Sequence, residues 1–163
     1  MSVTDEFVTA NKAYADAFDK GGLPGPPARH VAVVACMDAR LDVYRLLGLG
    51  EGDAHVIRNA GGVVTDDVIR SLAVGQRKLK TTEVVLIHHT KCGMATFSDD
   101  DFVAELEDAC GQRPTWAPGT FPDTEQDVRD SLERVRTSPF MLHTDAVRGF
   151  VADVDTGLLT EVS

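Results

Sequence analysis

The sequence of 163 residues lacks the features that mark secreted and membrane-bound proteins. Its three cysteines are an odd number without a Cys-x-x-Cys pair, which excludes a disulfide framework of the usual kind and favours a reducing compartment. Its longest apolar run, residues 31–37, is far too short to cross a membrane, and the N-terminal segment MSVTDEFVTANK has no apolar signal-peptide core. We therefore expect a cytoplasmic protein that does not interact with membranes.

Basic side chains are also scarce. The chain has 16 lysines and arginines against 26 aspartates and glutamates, which gives a formal net charge of −10. Nucleic acids and anionic lipids need a basic surface, so neither is expected as a partner, whereas a small neutral substrate is compatible with this charge. The length and the hydrophobic fraction of 43% are those of one globular domain, residues 1–163.

Strand-like and helix-like segments alternate along the chain. Continuous β-branched and small apolar runs at residues 31–36, 54–58 and 83–89 predict buried strands of a parallel sheet. Helical patterns are predicted at residues 4–20, 41–47, 65–79, 98–110 and 123–137. Residues 147–154 and 158–162 flank a turn and predict a hairpin. The predicted fold class is α/β, with a mostly parallel central sheet flanked by helices and an antiparallel C-terminal edge hairpin.

Two groups of metal-ligand side chains lie at the ends of predicted strands. Cys36 ends the first strand, and His89 and Cys92 follow the end of the third. Ligands of a parallel sheet bind beyond the carboxyl ends of its strands, so we expect the two groups to meet at one edge. Two thiolates and one imidazole are soft ligands that suit zinc, and they leave a fourth position for Asp38 or for water. Water in that position would make the zinc a catalyst of hydration or hydrolysis.

Asp38 and Arg40 follow Cys36 at alternating positions, so in an extended segment the three side chains point the same way. Two thiolates neutralise the zinc charge and weaken the ion as a Lewis acid, so the site needs help to activate water near neutral pH. Asp38 can accept a hydrogen bond from that water, and Arg40 can hold Asp38 in a bidentate pair. If Arg40 releases Asp38, the carboxylate can become the fourth ligand. The pattern thus allows an open, active state and a closed, inactive one.

The motifs CMDAR, RNAGG and HHTKCG together resemble those of β-carbonic anhydrases, in particular the short bacterial members. The resemblance extends from about residue 30 through the C-terminal hairpin. It implies a homodimer or a homotetramer, in which residues 4–20 form a helix that packs on the partner subunit. It also implies a zinc-dependent lyase that catalyses the reversible hydration of CO2 to bicarbonate and a proton.

The resemblance also assigns roles to individual residues. It implies that Cys36, His89 and Cys92 bind Zn2+ as the cofactor. It implies that Asp38 and Arg40 form the catalytic dyad, with Asp38 as a zinc ligand only in the closed state. No other cofactor is expected.

Two alternatives remain open at this point. The same zinc site could hydrolyse carbonyl sulfide or carbon disulfide, which are linear substrates of members of this fold. Met37 and Met94 depart from the residues common in the family and bear on the shape of the pocket and on that choice. Alternatively, zinc with Asp38 as its fourth ligand would be a closed, non-catalytic site, although such a site has no need of Arg40. A metal-free thiol enzyme is disfavoured because it would leave two soft ligands without a role.

Several other conspicuous residues are interpreted as structural. His88 should face away from His89 in a strand, and we predict that it packs in the core or at an interface. Gly61 and Gly62 predict a tight turn that allows a close backbone approach near the pocket. The acidic run of residues 99–101 is interpreted as a solvated helix N-terminus, which the helix dipole favours.

Overall fold

The buried apolar runs form a single sheet in the computed structural model, which describes residues 2–163. Within that range the strands are β1 (Val31–Cys36), β2 (Ala54–Asn59), β3 (Glu83–His89), β4 (Val147–Ala152) and β5 (Leu159–Val162). They are ordered β2-β1-β3-β4-β5. β1 pairs in parallel with β2 and β3, β3 pairs in parallel with β4, and β5 pairs antiparallel with β4. The predicted α/β fold with an antiparallel edge is thereby confirmed.

Helices connect the strands and cover the sheet. The described part of the chain forms α1 (Val3–Asp16), α2 (Val43–Leu47), α3 (Asp66–Lys78), α4 (Asp99–Cys110) and α5 (Thr124–Thr137). The residue before each helix accepts a hydrogen bond from a backbone amide of its first turn, and these caps are Ser2, Asp42, Thr65, Ser98 and Asp123. Caps of this kind satisfy amides that have no partner inside the helix, so they set where each helix begins.

The first helix is shorter than predicted and begins earlier. It begins at Val3 because Ser2 caps it. The Ser2 hydroxyl accepts the Asp5 amide, and the Asp5 carboxylate accepts the Ser2 amide at 2.7 Å, which completes a capping box. The helix ends at Asp16, before the predicted end at residue 20. Its last turn has no basic side chain, and Asp16 and Asp19 place negative charge where the helix dipole disfavours it. Within residues 2–163, α1 buries none of its own side chains.

Two other predicted boundaries differ from the structure by two residues. α2 begins at Val43, two residues after the predicted start, because the Asp42 side chain accepts the Arg45 amide and caps the helix there. β4 ends at Ala152 instead of at residue 154, because one carboxylate oxygen of Asp153 accepts two amides of the following turn, at 2.8 and 3.0 Å. Such side-chain to backbone bonds compete with regular structure and end it locally.

The core lies on both faces of the sheet. On one face Val34 and Leu86 pack against side chains of α3 and α5 such as Leu72. On the other face Val33 and Ile87 belong to a second cluster that includes side chains of α2 and the cysteines of the two motifs. Burial on both faces explains why the strands have continuous apolar sequences. Within residues 2–163, no helix has the length and apolarity needed to cross a membrane.

Candidate metal centre

Three predicted ligands converge at the carboxyl edge of the sheet. Cys36 ends β1, His89 ends β3, and Cys92 lies in the turn after β3. β1 and β3 are hydrogen-bonded neighbours in parallel, so their ends lie side by side. The two sulfur atoms and an imidazole nitrogen lie within 4.8 Å of one another, and all three residues are buried. The structure thus brings both sequence motifs into one cluster.

The surroundings of His89 suit a metal ligand. Its Nδ1 lies 2.9 Å from the carbonyl oxygen of Thr90, which fixes the ring and places the Nδ1 proton in that hydrogen bond. Among the described residues, its buried Nε2 has no hydrogen-bond partner. An unsatisfied buried polar atom costs about 1–3 kcal/mol, so this nitrogen is suited to bind an ion. With two thiols beside it, the donor set fits zinc.

The two thiols differ in acidity. Burial raises the pKa of Cys92 to about 11. Burial also acts to raise the pKa of Cys36, but the neighbouring His89 ring, together with the amides of Asp38 and Gly61, lowers it below its ordinary value. Because the thiolate is the form that binds a metal, a metal ion bound here at neutral pH would displace a proton from Cys92.

Arg40 holds Asp38 in the bidentate pair expected from their spacing. Arg40 Nε donates to Asp38 Oδ1 at 2.9 Å, and Nη2 donates to Oδ2 at 2.7 Å. These hydrogen bonds, with a further one from the Arg40 amide, hold the pKa of the Asp38 carboxyl far below its usual range. Asp38 Oδ2 lies 3.7 Å from His89 Nε2. An ionised carboxylate is therefore positioned beside the Cys36–His89–Cys92 cluster, while Arg40 donates hydrogen bonds to both of its oxygens.

Two further groups, which the sequence did not indicate, support this pair. Arg58 on β2 donates from Nε to the Cys36 carbonyl at 2.9 Å and from Nη2 to the Asp38 carbonyl at 2.7 Å. Lys91 accepts a hydrogen bond on its carbonyl oxygen from Arg40 Nη2 at 3.0 Å and has a left-handed backbone, with φ of 56°. Arg58 is the first residue of the RNAGG motif, so the motif itself was the available signal.

Gly62 lies directly against the strand backbone that carries the candidate ligands. Its φ of 73° is in the left-handed region that favours glycine. A Cβ atom at this position would lie 2.7 Å from the Cys36 amide nitrogen and 2.9 Å from the Ile87 carbonyl oxygen. The predicted close backbone approach is therefore confirmed. Glycine is required here for two reasons: the turn has a left-handed conformation, and the backbone of β1 and β3 leaves no room for a Cβ atom.

His88 faces away from the ligands and is completely buried, which confirms its prediction as a core histidine. Its Nε2 lies 2.6 Å from Asp127 Oδ2 on α5, a partner that the sequence did not indicate.

The interpretation of the acidic run, residues 99–101, as wholly solvated was wrong for Asp99. Its carboxylate accepts the backbone amide and the hydroxyl of Thr120 at 2.7 and 2.6 Å, so it ties α4 to the loop that follows.

Comparisons with known proteins agree with one another. The profile of the family described as carbonic anhydrase matches residues 31–159. Beta-carbonic anhydrase 1 of Mycobacterium tuberculosis is 60% identical over 163 residues, which cover 100% of this chain and 99% of that protein. A carbon disulfide hydrolase of Acidithiobacillus thiooxidans is 32% identical, covering 95% of this chain and 84% of that protein. The crystal structure of a Streptococcus mutans carbonic anhydrase is similar with a TM-score of 0.93, 43% identity and coverage of 100% and 99%.

Proposed function

Since this chain belongs to the β-carbonic anhydrase family, we propose that Cys36, His89 and Cys92 hold a zinc ion and that Asp38 and Arg40 form the catalytic dyad of CO2 hydration. One observation carries the assignment. Three buried soft donor atoms lie within 4.8 Å of one another, and within the described chain the imidazole nitrogen has no other partner. A zinc ion would satisfy that nitrogen and would neutralise the two thiolates.

The residues around the zinc direct the reaction. When bound, zinc supplies a Lewis acid that lowers the pKa of a coordinated water. The Asp38 carboxylate accepts a hydrogen bond from the attacking water and so orients its lone pair toward the carbon of CO2. Arg40 occupies both carboxylate oxygens, which keeps Asp38 ionised and away from the metal. Arg58 holds the carbonyls of Cys36 and Asp38, so it positions a ligand and the carboxylate together.

Zinc content and stopped-flow CO2 hydration, measured on the same samples at about pH 7 and about pH 8.5, test this proposal. We expect one zinc per chain and an activity that rises with pH. Asp38→Asn should keep its zinc and lose about 100-fold or more in kcat. The isosteric amide carries no negative charge, so it is a weaker hydrogen-bond acceptor for the attacking water than the carboxylate. Asp108→Asn on the exposed side of α4 is the matched control and should keep full activity. Full activity of Asp38→Asn, or absence of zinc, would contradict the assignment.

Hydrolysis of carbonyl sulfide or carbon disulfide at the same site is the second candidate. The carbon disulfide hydrolase of A. thiooxidans supports it, but at 32% identity against 60% for the mycobacterial carbonic anhydrase. A carbonyl sulfide assay on the same samples distinguishes the two, because faster turnover of carbonyl sulfide than of CO2 would favour the second. The Arg40–Asp38 pair supports an open site over a closed, four-ligand site.

We also propose a cytoplasmic homodimer or homotetramer in which the N-terminal helix packs on the partner subunit. The exposed apolar side chains of α1 support this, because Phe7 and Tyr14 are 67% and 51% exposed in their own chain. A 14-residue helix is marginally stable without tertiary contacts. The two cysteine ligands support a reducing location, because oxidation would destroy their ability to bind metal.

A further inference from the structure

The loop that carries Cys92 is joined to the turn between β4 and β5. In the parallel pair of β3 and β4, His89 lies opposite Ala152, and the Thr90 amide donates to the Ala152 carbonyl at 2.9 Å. In a regular parallel ladder, the next bond would run from the Val154 amide to the Thr90 carbonyl. The Val154 amide instead donates to the Thr90 hydroxyl at 3.1 Å. The side chain of Thr90 therefore takes the place of its carbonyl in the ladder.

The carbonyl of Thr90 is thereby available to the candidate zinc ligand His89. It lies 2.9 Å from His89 Nδ1, which leaves Nε2 as the nitrogen available to a metal ion. A hydrogen bond from the second ring nitrogen to a backbone carbonyl fixes the tautomer and the orientation of a histidine that binds a metal. If the Val154 amide also used this carbonyl, the two donors would compete for one oxygen. The Thr90 hydroxyl removes that competition.

The next carbonyl along the chain accepts a hydrogen bond from the proposed dyad. Arg40 Nη2 donates to the Lys91 carbonyl at 3.0 Å, and the same nitrogen donates to Asp38. Lys91 has a φ of 56°, a conformation that is unfavourable for a residue with a side chain and persists where surrounding contacts impose it. Two successive carbonyls, those of Thr90 and Lys91, therefore orient a ligand and the dyad arginine. A displacement of this short segment would disturb both.

Two side-chain contacts tie this segment to the β4–β5 turn, and they differ in strength. Lys91 Nζ lies 2.5 Å from Asp155 Oδ2, but the two side chains are 64% and 62% exposed, so water and salt screen the pair. The bond from the Val154 amide to the Thr90 hydroxyl is partly buried. An exposed ion pair contributes little, whereas a buried amide that loses its acceptor is costly. The Thr90 hydroxyl is therefore the contact that fixes the segment.

We propose that Thr90 is a positioning residue of the metal centre, because its hydroxyl accepts the Val154 amide and so reserves its carbonyl for His89. The inference rests on the zinc site proposed above and extends it to a residue that is neither a ligand nor a member of the dyad. Without the hydroxyl, the Val154 amide turns to the carbonyl. The His89 ring then loses its fixed orientation and binds zinc more weakly.

Thr90→Val tests the proposal, because it removes the hydroxyl and retains the shape and the carbonyl. Chelator competition measures the zinc dissociation constant, and NMR measures how fast the His89 Nδ1 proton exchanges with water. We expect the dissociation constant to rise about tenfold or more and the proton to exchange faster. Thr90→Ser retains a hydroxyl and should stay within about threefold of the wild type in both measurements. Thr90→Ala removes the hydroxyl without placing a methyl group against the Val154 amide, so it gives the same test if the valine variant fails to fold.

Two control variants separate positioning from general stability. Thr65→Val removes another partly buried hydroxyl that accepts a backbone amide, that of Val68 at 3.3 Å, at the start of α3. It should lower the midpoint of urea unfolding of the metal-free protein, and it should leave the zinc dissociation constant and the proton exchange at wild-type values. Asp155→Asn removes the exposed ion pair on the β4–β5 turn and should also leave these two measurements unchanged.

Wild-type zinc affinity and proton exchange in Thr90→Val would overturn the proposal, and so would an equal effect in Thr90→Ser. A loss of zinc affinity in Thr65→Val as large as that in Thr90→Val would also overturn it, because zinc affinity would then follow stability alone. A wild-type chain that binds no zinc would refute the proposed function instead. The exchange of the His89 Nδ1 proton is then compared among the metal-free variants, where faster exchange in Thr90→Val supports the role of Thr90 and unchanged exchange overturns it.

Discussion

Replacing Gly62 by alanine adds one methyl group where the turn after β2 contacts the backbone of the candidate metal centre. The new Cβ would lie 2.7 Å from the Cys36 amide nitrogen, 2.9 Å from the Ile87 carbonyl oxygen and 3.0 Å from the Ala35 carbonyl carbon. All three atoms belong to the backbone of adjacent strands, so no flexible side chain can move to make room. Accommodation requires a shift of β1 or of the turn that follows β2.

Two contributions set the size of the effect. Holding alanine at a φ of 73° costs about 1–2 kcal/mol relative to glycine. Overpacking against a rigid backbone costs about 1–3 kcal/mol more, and the total loss of unfolding free energy is about 2–5 kcal/mol. Since the shifted atoms include the amide of Cys36, we also expect weaker zinc binding.

Gly48→Ala is the matched control, because Gly48 has a similar φ of 63° and no atom within 4 Å of the added Cβ. It should lose only the conformational contribution, about 1–2 kcal/mol. Urea unfolding at equal protein concentration measures both variants, and competition with a chelator measures their zinc affinity. The reasoning is refuted if Gly62→Ala is no less stable than Gly48→Ala, or if its zinc affinity equals that of the wild type.

Arg40→Gln should keep zinc and reduce kcat about tenfold or more, because the released Asp38 carboxylate can then bind the metal. An unchanged kcat in stopped-flow CO2 hydration would contradict this prediction. Because burial raises the pKa of Cys92 to about 11, zinc binding near neutral pH should displace at least its thiol proton. The apparent zinc affinity in chelator competition should therefore rise at least about tenfold per pH unit near neutral pH, and a constant affinity would refute the proton release. Asp127→Ala removes the Nε2 partner of the buried His88 and should lower the unfolding free energy by about 1–3 kcal/mol in urea, whereas unchanged stability would show that the bond contributes nothing.

The family assignment and the geometry of the site support the same reaction through different evidence. The 60% identity to a mycobacterial β-carbonic anhydrase extends over the whole chain and identifies the enzyme class. The contacts explain how the site is held, because Arg40 orients Asp38 and Arg58 holds the segment between Cys36 and Asp38 from the neighbouring strand. In the proposed mechanism, the rigidity of this segment keeps the carboxylate close to the metal without letting it bind.

The sequence by itself determined the strands and the three candidate ligands. A strand buried on both faces has a continuous apolar sequence, so residues 31–36 and 83–89 were predicted at the bounds that the structure has. Cys36, His89 and Cys92 were recognisable because their residue types suit zinc and because parallel strands end at the same edge. The spacing of two residues between Asp38 and Arg40 was enough to predict their pair.

Only the tertiary structure decided which distant residues hold the site in place. Arg58 and Cys36 are 22 positions apart, and His88 and Asp127 are 39 apart. Their contacts depend on the register of β1 with β2 and on how α5 packs on β3, and no local periodicity encodes either. The close approach of Gly62 to Cys36 and Ile87 likewise follows from the packing of the turn against two strands. Local residue types determined the chemistry available to the site, and long-range packing determined its geometry.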